Sequence, residues 1–380
     1  MPALATLPPV APIQPFRVEV PEATIEDLRL RLARTRFPNE IPGVGWDQGM
    51  PLGYLEELVA YWAGPYDWRT HEARLNRYPQ FTTEVDGQRI HFLHVRSPHD
   101  GAVPLVLSHG WPGSVVEFLD VIDPLTNPPD PADAFHLVVP SLPGYGFSGP
   151  TSAPGWTPRR MAAAFGTVMD ELGYDRYGVQ GGDWGSFVSA NMADLRPDRV
   201  IGLHVNFLAV PPPKGEDRPP PPEHVARFES TGRGYSEIQG TKPQTVGYLL
   251  DDSPAGLAAW IVEKFREWSD CDGDVERSFT KDQLLTNVMV YWVTRTATSA
   301  ARLYWEMRRA GVATVPRAPV TVPTGVANFP REIGRCERRH AERRYHIVHW
   351  TEPPRGGHFA AMEVPDLFVD DVRTFFRPLR

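Results

Sequence analysis

The chain has 380 residues, 41% of them hydrophobic, which suffices for a large buried core and for roughly two to three domain-sized units. A formal net charge of -8 excludes the basic field that nucleic-acid binding requires, and Cys271 and Cys336, the only cysteines, exclude a disulfide framework and a cysteine-rich zinc site. The amino terminus lacks the basic and apolar regions of a secretory signal, and no segment approaches the roughly 18 apolar residues of a membrane span, so the expectation is a soluble, cytoplasmic protein with free thiols and no membrane anchor.

In chain order, "ATIEDLRLRLARTRFP" opens with a Thr24-x-x-Asp27 cap signal and sets Ile25, Leu28 and Leu32 on one helical face, stopping before Pro38. A second helix is expected from Gly53 to Trp68, its Tyr54, Tyr61, Trp62, Tyr66 and Trp68 packing against a neighbouring domain. From about residue 82 the period switches: "TTEVDGQRIHFLHVRS" alternates around Asp86-Gly87 like a hairpin. The runs "VPLVLSHG" and "FHLVVPSLPGYGFS" are short, apolar and end in glycine-rich corners, as strands covered on both faces do. "TPRRMAAAFGTVMDELGY" reads as a helix with Thr157 as N-cap and Pro158 first, striped by Met161, Phe165, Val168, Met169 and Leu172. Strands follow at "YDRYGVQGG", "VIGLHVNFL", "APVTVPTGVANF" and "RYHIVHWTE", an alternation that predicts an α/β sheet with helices on both faces. It is interrupted at the proline-rich "PPPKGEDRPPPPEH", residues 211–224, expected to be a stiff linker. Helical patterns then run to about residue 311, an insertion that would cover the edge where parallel sheets bind ligands.

The chemistry centres on "YGVQGGDWGSF", a strand, a glycine-flanked corner and a helix. Gly181 and Gly185 flank Asp183 in the pattern of a nucleophile elbow, which exposes the apical side chain at the top of the sheet. A serine there would imply an esterase. A carboxylate instead suits displacement at a saturated carbon, forming an alkyl ester that water then cleaves at the enzyme's own carbonyl. That second step needs a base and an oxyanion hole. His358 in "RGGHFAAME" follows the last predicted strand, where the elbow fold carries its histidine. His346 and His349 lie inside a predicted strand, and His91, His94 and His99 precede the core, so they fit less well. For the oxyanion, "SHGWPGS" is expected to aim the backbone N–H of Trp111 at the same point as that of Trp184; Ser114 and Ser186 sit away from the apex. Glu332 and Glu337 both follow the penultimate strand as candidates to orient His358, Glu332 being preferred because it comes at once. Neither a cofactor nor a metal is needed.

The motifs "HGWPGS", "PGYGFS", "GGDWGS" and "RGGHFAAME" resemble the microsomal-type epoxide hydrolases, a branch of the α/β-hydrolase superfamily that includes the juvenile-hormone epoxide hydrolases. The resemblance extends through "GYSEIQGTKPQTVGYLLDDSPAGLAAWIVEKF" and "LLTNVMVYWVTRTATSAARLYWE" and covers nearly the whole chain. It implies an α/β-hydrolase fold with a mostly parallel sheet: an N-terminal segment (1–90) wrapping core and cap, a first core part (91–210), a helical cap (211–311) and a second core part (312–380). It also implies Asp183 as nucleophile, His358 as base, Glu332 as the acid that orients it, and Tyr235 and Tyr304 as cap tyrosines that hydrogen-bond the epoxide oxygen. A phenol suits that task, because it donates to a basic alkoxide without being ionised at neutral pH. Tyr291 is the nearest competitor. The expected partner is a bulky apolar epoxide, with a homodimer left open. Arginine's excess over lysine hints at a GC-rich genome, which suits a bacterial natural-product pathway, antibiotic biosynthesis included. A haloalkane dehalogenase would use the same elbow aspartate, and a catalytically silent binding protein could keep the same pocket.

Overall fold

The computed structural model describes residues 11–208, 210–213, 215–216, 220–311, 316 and 318–380. Its strands are β1 (Gln14–Phe16), β2 (Gln80–Val85), β3 (Gln88–Val95), β4 (Val103–Ser108), β5 (Phe135–Pro140), β6 (Tyr177–Gly181), β7 (Val200–Val205), β8 (Val320–Ala327) and β9 (Tyr345–Thr351). They form one 9-stranded sheet in the order β1-β2-β3-β5-β4-β6-β7-β8-β9. The pairs from β1 to β5 are antiparallel, and those from β5 through β9 are parallel. The chain lays β5 on one side of β4 and then crosses to place β6 on the other. A crevice therefore opens at the carboxyl ends of β4 and β6, where open α/β sheets bind ligands.

The apolar runs behave as read. β4, β5 and β6 are buried over most of their length, and Asp86 and Gly87 turn the β2–β3 hairpin with φ of 54° and 72°. Helix Pro158–Glu171 starts at Thr157, whose hydroxyl accepts from the Arg160 N–H, and packs on helix Asp183–Leu195. On the opposite face of the sheet, helix Pro365–Phe376 buries Phe368, Phe375 and Phe376. Its Asp371 ties β7 to β9, accepting from His204 at 2.8 Å, His349 at 3.0 Å and Thr351 at 2.7 Å.

Two expectations about the first segment need correcting. The first helix begins at Glu22 behind Pro21, without a side-chain cap, so Thr24 lies inside it; Ile25, Leu28 and Leu32 are buried as expected. The expected helix from Gly53 to Trp68 is two helices, Leu52–Ala63 and Trp68–Leu75. Gly64 and Pro65 end the first, and the Asp67 carboxylate accepts from the Arg69 N–H to start the second. The aromatic residues do face another part of the chain: Tyr61 donates to Asp282 at 2.9 Å, and Tyr66 shares a hydrogen bond with Thr286 at 3.2 Å.

Between β7 and β8 every described element is a helix. The helices are Gly234–Thr241, Pro243–Asp252, Pro254–Trp268, Lys281–Thr294 and Ala297–Ala310, preceded by a short turn of helix at Glu223–Arg227. Helix Ala297–Ala310 packs on the first two and helix Pro254–Trp268 on its two neighbours. The proline-rich stretch 211–224 lies partly outside the described residues, at 214 and 217–219. Among the described residues no helix is long and apolar enough to cross a membrane.

Candidate active site

β6 ends at Gly181, and Asp183 opens the next helix in a left-handed backbone conformation, φ 45°. For a residue with a Cβ that conformation costs on the order of 1–3 kcal/mol and persists only where its surroundings impose it. They do so here by close packing: a Cβ on Gly185 would overlap the Ser108 carbonyl, and one on Gly110 would overlap the Asp183 carboxylate. Trp111 N–H donates to Asp183 Oδ1 at 2.8 Å. Trp184 is the second residue of the helix, where backbone N–H groups have no acceptor within the helix.

His358 arrives on the loop after β9. Its Nδ1 donates to Glu332 Oε1 at 2.8 Å and faces Oε2 at 3.0 Å. Its Nε2 is 3.3 Å from Asp183 Oδ2 yet is not aligned to hydrogen-bond with it, and is buried without a partner. Burial alone would lower the imidazole pKa. The adjacent Glu332 carboxylate, with that of Asp183, outweighs that and holds it well above the ordinary value. Glu332 is 1% exposed and sits beyond the end of β8.

Tyr235 and Tyr304, both 7% exposed, come from helices Gly234–Thr241 and Ala297–Ala310 and bring their rings within 5.6 Å of each other. Trp111 stacks on Tyr235 at 4.8 Å and meets the face or edge of Tyr304 at 5.7 Å, while Trp184 crosses Tyr304 at 4.9 Å. Desolvation, with a further push from the Asp183 carboxylate, raises both phenols above their ordinary pKa. They are therefore neutral donors at any physiological pH.

The profile described as "Epoxide hydrolase N terminus" matches residues 13–118, and that of the "alpha/beta hydrolase fold" matches 103–207. A relative from Stigmatella aurantiaca is 46% identical over 97% of this chain and 86% of its own length. "Epoxide hydrolase 1" of Sus scrofa is 37% identical, with 96% of this chain and 88% of the relative covered. The chain belongs to the epoxide hydrolase family. A solved juvenile hormone epoxide hydrolase from the silkworm Bombyx mori superposes on this epoxide hydrolase with a TM-score of 0.90 at 35% identity, covering 97% of this chain and 95% of that one. The fold is that of the α/β-hydrolases.

The rival residues of this epoxide hydrolase are engaged elsewhere. Glu337 pairs with Arg339 at 2.7 Å on the surface. Tyr291 is buried and donates to the Gly113 carbonyl at 2.6 Å, supporting the Trp111 loop from below. Ser114 donates to Asn287, and Ser186 donates to the carbonyl of Asp183. His91 is bonded at both ring nitrogens, to Ser141 and Gln80, His94 to Tyr174 and His99 to Asn127; His346 lies on β9 against the Thr321 carbonyl. Sequence reasoning overlooked two neighbours. Trp268 lies 5.1 Å from His358 and 5.3 Å from Tyr235. Glu117, four positions beyond Gly113, has its carboxyl pushed up to about 8 by desolvation, with Asp183 adding to the push and His358 opposing it. The spacing Gly113–Glu117 was visible, but nothing in it marked a carboxyl folded back under its own loop.

Proposed function

We propose that this epoxide hydrolase opens a bulky, apolar aryl or alkyl epoxide through an ester on Asp183 and releases a vicinal diol. One observation carries the reading: Asp183 has Oδ1 on the Trp111 N–H at 2.8 Å and Oδ2 3.3 Å from the unpartnered Nε2 of His358. Oδ2 attacks an epoxide carbon, the carbon–oxygen bond breaks, and Tyr235 and Tyr304 supply hydrogen bonds and a proton to the departing oxygen. Oδ1 then becomes the carbonyl oxygen of the ester. His358 removes a proton from water, the hydroxide adds to that carbonyl, and the negative charge grows on Oδ1, where Trp111 N–H and the Trp184 N–H at the helix start stabilise it. Collapse expels the diol oxygen, which takes the proton back from His358, and the proton left on the Asp183 acid passes through water to the phenolate, restoring both the carboxylate and the tyrosine. Glu332 keeps the imidazole in the tautomer that leaves Nε2 free to accept.

The aromatic surround of Trp111, Trp184, Tyr235, Trp268 and Tyr304 supports an apolar substrate, since it offers ring faces and hydroxyls but no charge for a polar one. The test is a single turnover of styrene oxide in water enriched in heavy oxygen. The diol is expected to leave unlabelled, with the label retained in a peptide containing Asp183. Label in the diol on the first turnover would mean direct attack by water and would end the ester reading.

A further inference from the structure

The loop that carries His358 is fastened to the helical insertion as well as to the core. His358 N–H donates to the carbonyl of Trp268, the last residue of helix Pro254–Trp268, at 3.0 Å. Gly356 N–H donates to Asp270 Oδ2 at 2.9 Å. Glu363 closes the arrangement: Oε1 accepts from Phe359 N–H at 2.8 Å and Oε2 from Asp270 N–H at 2.8 Å. One carboxylate thus spans the residue after His358 and the turn that leaves the insertion helix. Its burial pushes the Glu363 carboxyl up to about 7, opposed by those two N–H donors and by His358 itself.

We infer that Glu363 is a positioning residue, which clamps the His358 loop to the insertion at Asp270 and so fixes the imidazole in register over Asp183. The inference rests on the reading of His358 as the base of ester hydrolysis. Glu332 bonds to the ring and sets its rotation, but it leaves the height of the loop backbone undetermined. That height matters because Nε2 is already 3.3 Å from Oδ2 and must accept a proton from a water between base and ester. A displacement of about 1 Å in such a geometry costs on the order of 10²-fold in rate. Ester formation needs Asp183 and the two tyrosines and does not need this proton transfer, so loss of the clamp separates the two halves of the reaction.

Glu363→Gln is the informative variant: the amide keeps one acceptor and turns an N–H₂ toward one of the two backbone donors. Ester formation from styrene oxide, followed by rapid mixing and tryptophan quenching, is expected at the wild-type rate. Hydrolysis of the ester is expected to slow roughly 10- to 100-fold, with a matching rise in the ester-bearing fraction by intact mass. Asp270→Ala, which removes the Gly356 acceptor, should split the two rates in the same direction. Both rates within twofold of wild type, or both slowed equally, would overturn the clamp. If Glu363→Gln fails to fold by thermal melting, Asp270→Ala decides alone on the same two rates. His358→Ala is the control: if it never carries an ester, the base assignment fails first, and the clamp with it.

Discussion

At the scale of single residues, the charge state of His358 depends on the charge of the group it serves. In the free enzyme Glu332 and Asp183 together hold its pKa well above the ordinary value, against the pull of burial. Forming the proposed ester would remove the negative charge of Asp183 and with it part of the upward push. The imidazole of the ester should therefore titrate lower than that of the free enzyme, and a base is released when it is needed. With His358 as the proposed base, hydrolysis gains rate as pH rises through this lower value, because the neutral imidazole accepts the proton. A His358 titration by NMR in the free enzyme, set beside the pH profile of single-turnover ester hydrolysis, checks it. A hydrolysis pKa equal to or above that of the free enzyme would refute the coupling. The position of Asp183 was legible because its glycine-flanked turn takes a positive φ, and that of His358 because it follows the last strand in a glycine-rich loop. Glu332 was separable from Glu337 only by nearness to a strand end, and the hydrogen bond to Nδ1 distinguishes them directly.

At the scale of elements, the two phenols come from separate helices of the insertion, Gly234–Thr241 and Ala297–Ala310, which pack on each other. On the proposed mechanism the oxygen that leaves carbon in the first step would be met from two directions, and each tyrosine would cover part of the loss of the other. Phenylalanine at Tyr235 or Tyr304 alone should slow ester formation about 10- to 100-fold, and the double change by about 10⁴-fold, at the upper end of general-acid contributions. Ester hydrolysis, measured on enzyme alkylated beforehand, should change little. Stopped-flow quenching separates the two steps, and an unaltered rate of ester formation in the double variant would make the tyrosines packing residues only. Release of halide from a haloalkane at a comparable rate would favour the dehalogenase chemistry instead. Elements were read with uneven success. The elbow and the Thr157 helix start were legible because local hydrogen bonding and glycine geometry dictate them. The first helix start was not: Pro21 fixes its own φ and enters the helix without a side-chain cap, so Thr24 was a false signal. The break at Gly64-Pro65 carried a sequence signal that the continuing run of aromatic residues obscured.

At the scale of the molecule, the N-terminal helices touch the insertion through contacts of unequal weight. The pairs Arg31–Asp252 at 2.8 Å and Lys281–Glu57 at 2.8 Å each have an exposed carboxylate and contribute little in water. The buried Tyr66–Thr286 bond does more, since a lost partner there leaves a polar group without water, at about 1–3 kcal/mol. None of this long-range pairing could be read from periodicity, which reports which face of an element is apolar and not what covers it. The same holds for Glu363, whose acceptors are used by residues on two different parts of the chain.

The pairing of β7 with β8 has a consequence in time. These strands are neighbours in the sheet but the whole insertion separates them along the chain, so their register closes a long loop, and β9 joins the sheet only through β8. Glu332 and His358 both follow β8. Asp183, just beyond the end of β6, belongs to the part whose contacts are nearer in sequence. On refolding from denaturant, helical circular dichroism should recover first and the capacity to turn over epoxide last, with a lag between them. Simultaneous recovery of both signals would show that the late strands join as early as the elbow. If the proposed roles hold, any molecule caught in that lag would have its nucleophile in place before its base, and an epoxide met then would leave it esterified until the last two strands joined the sheet.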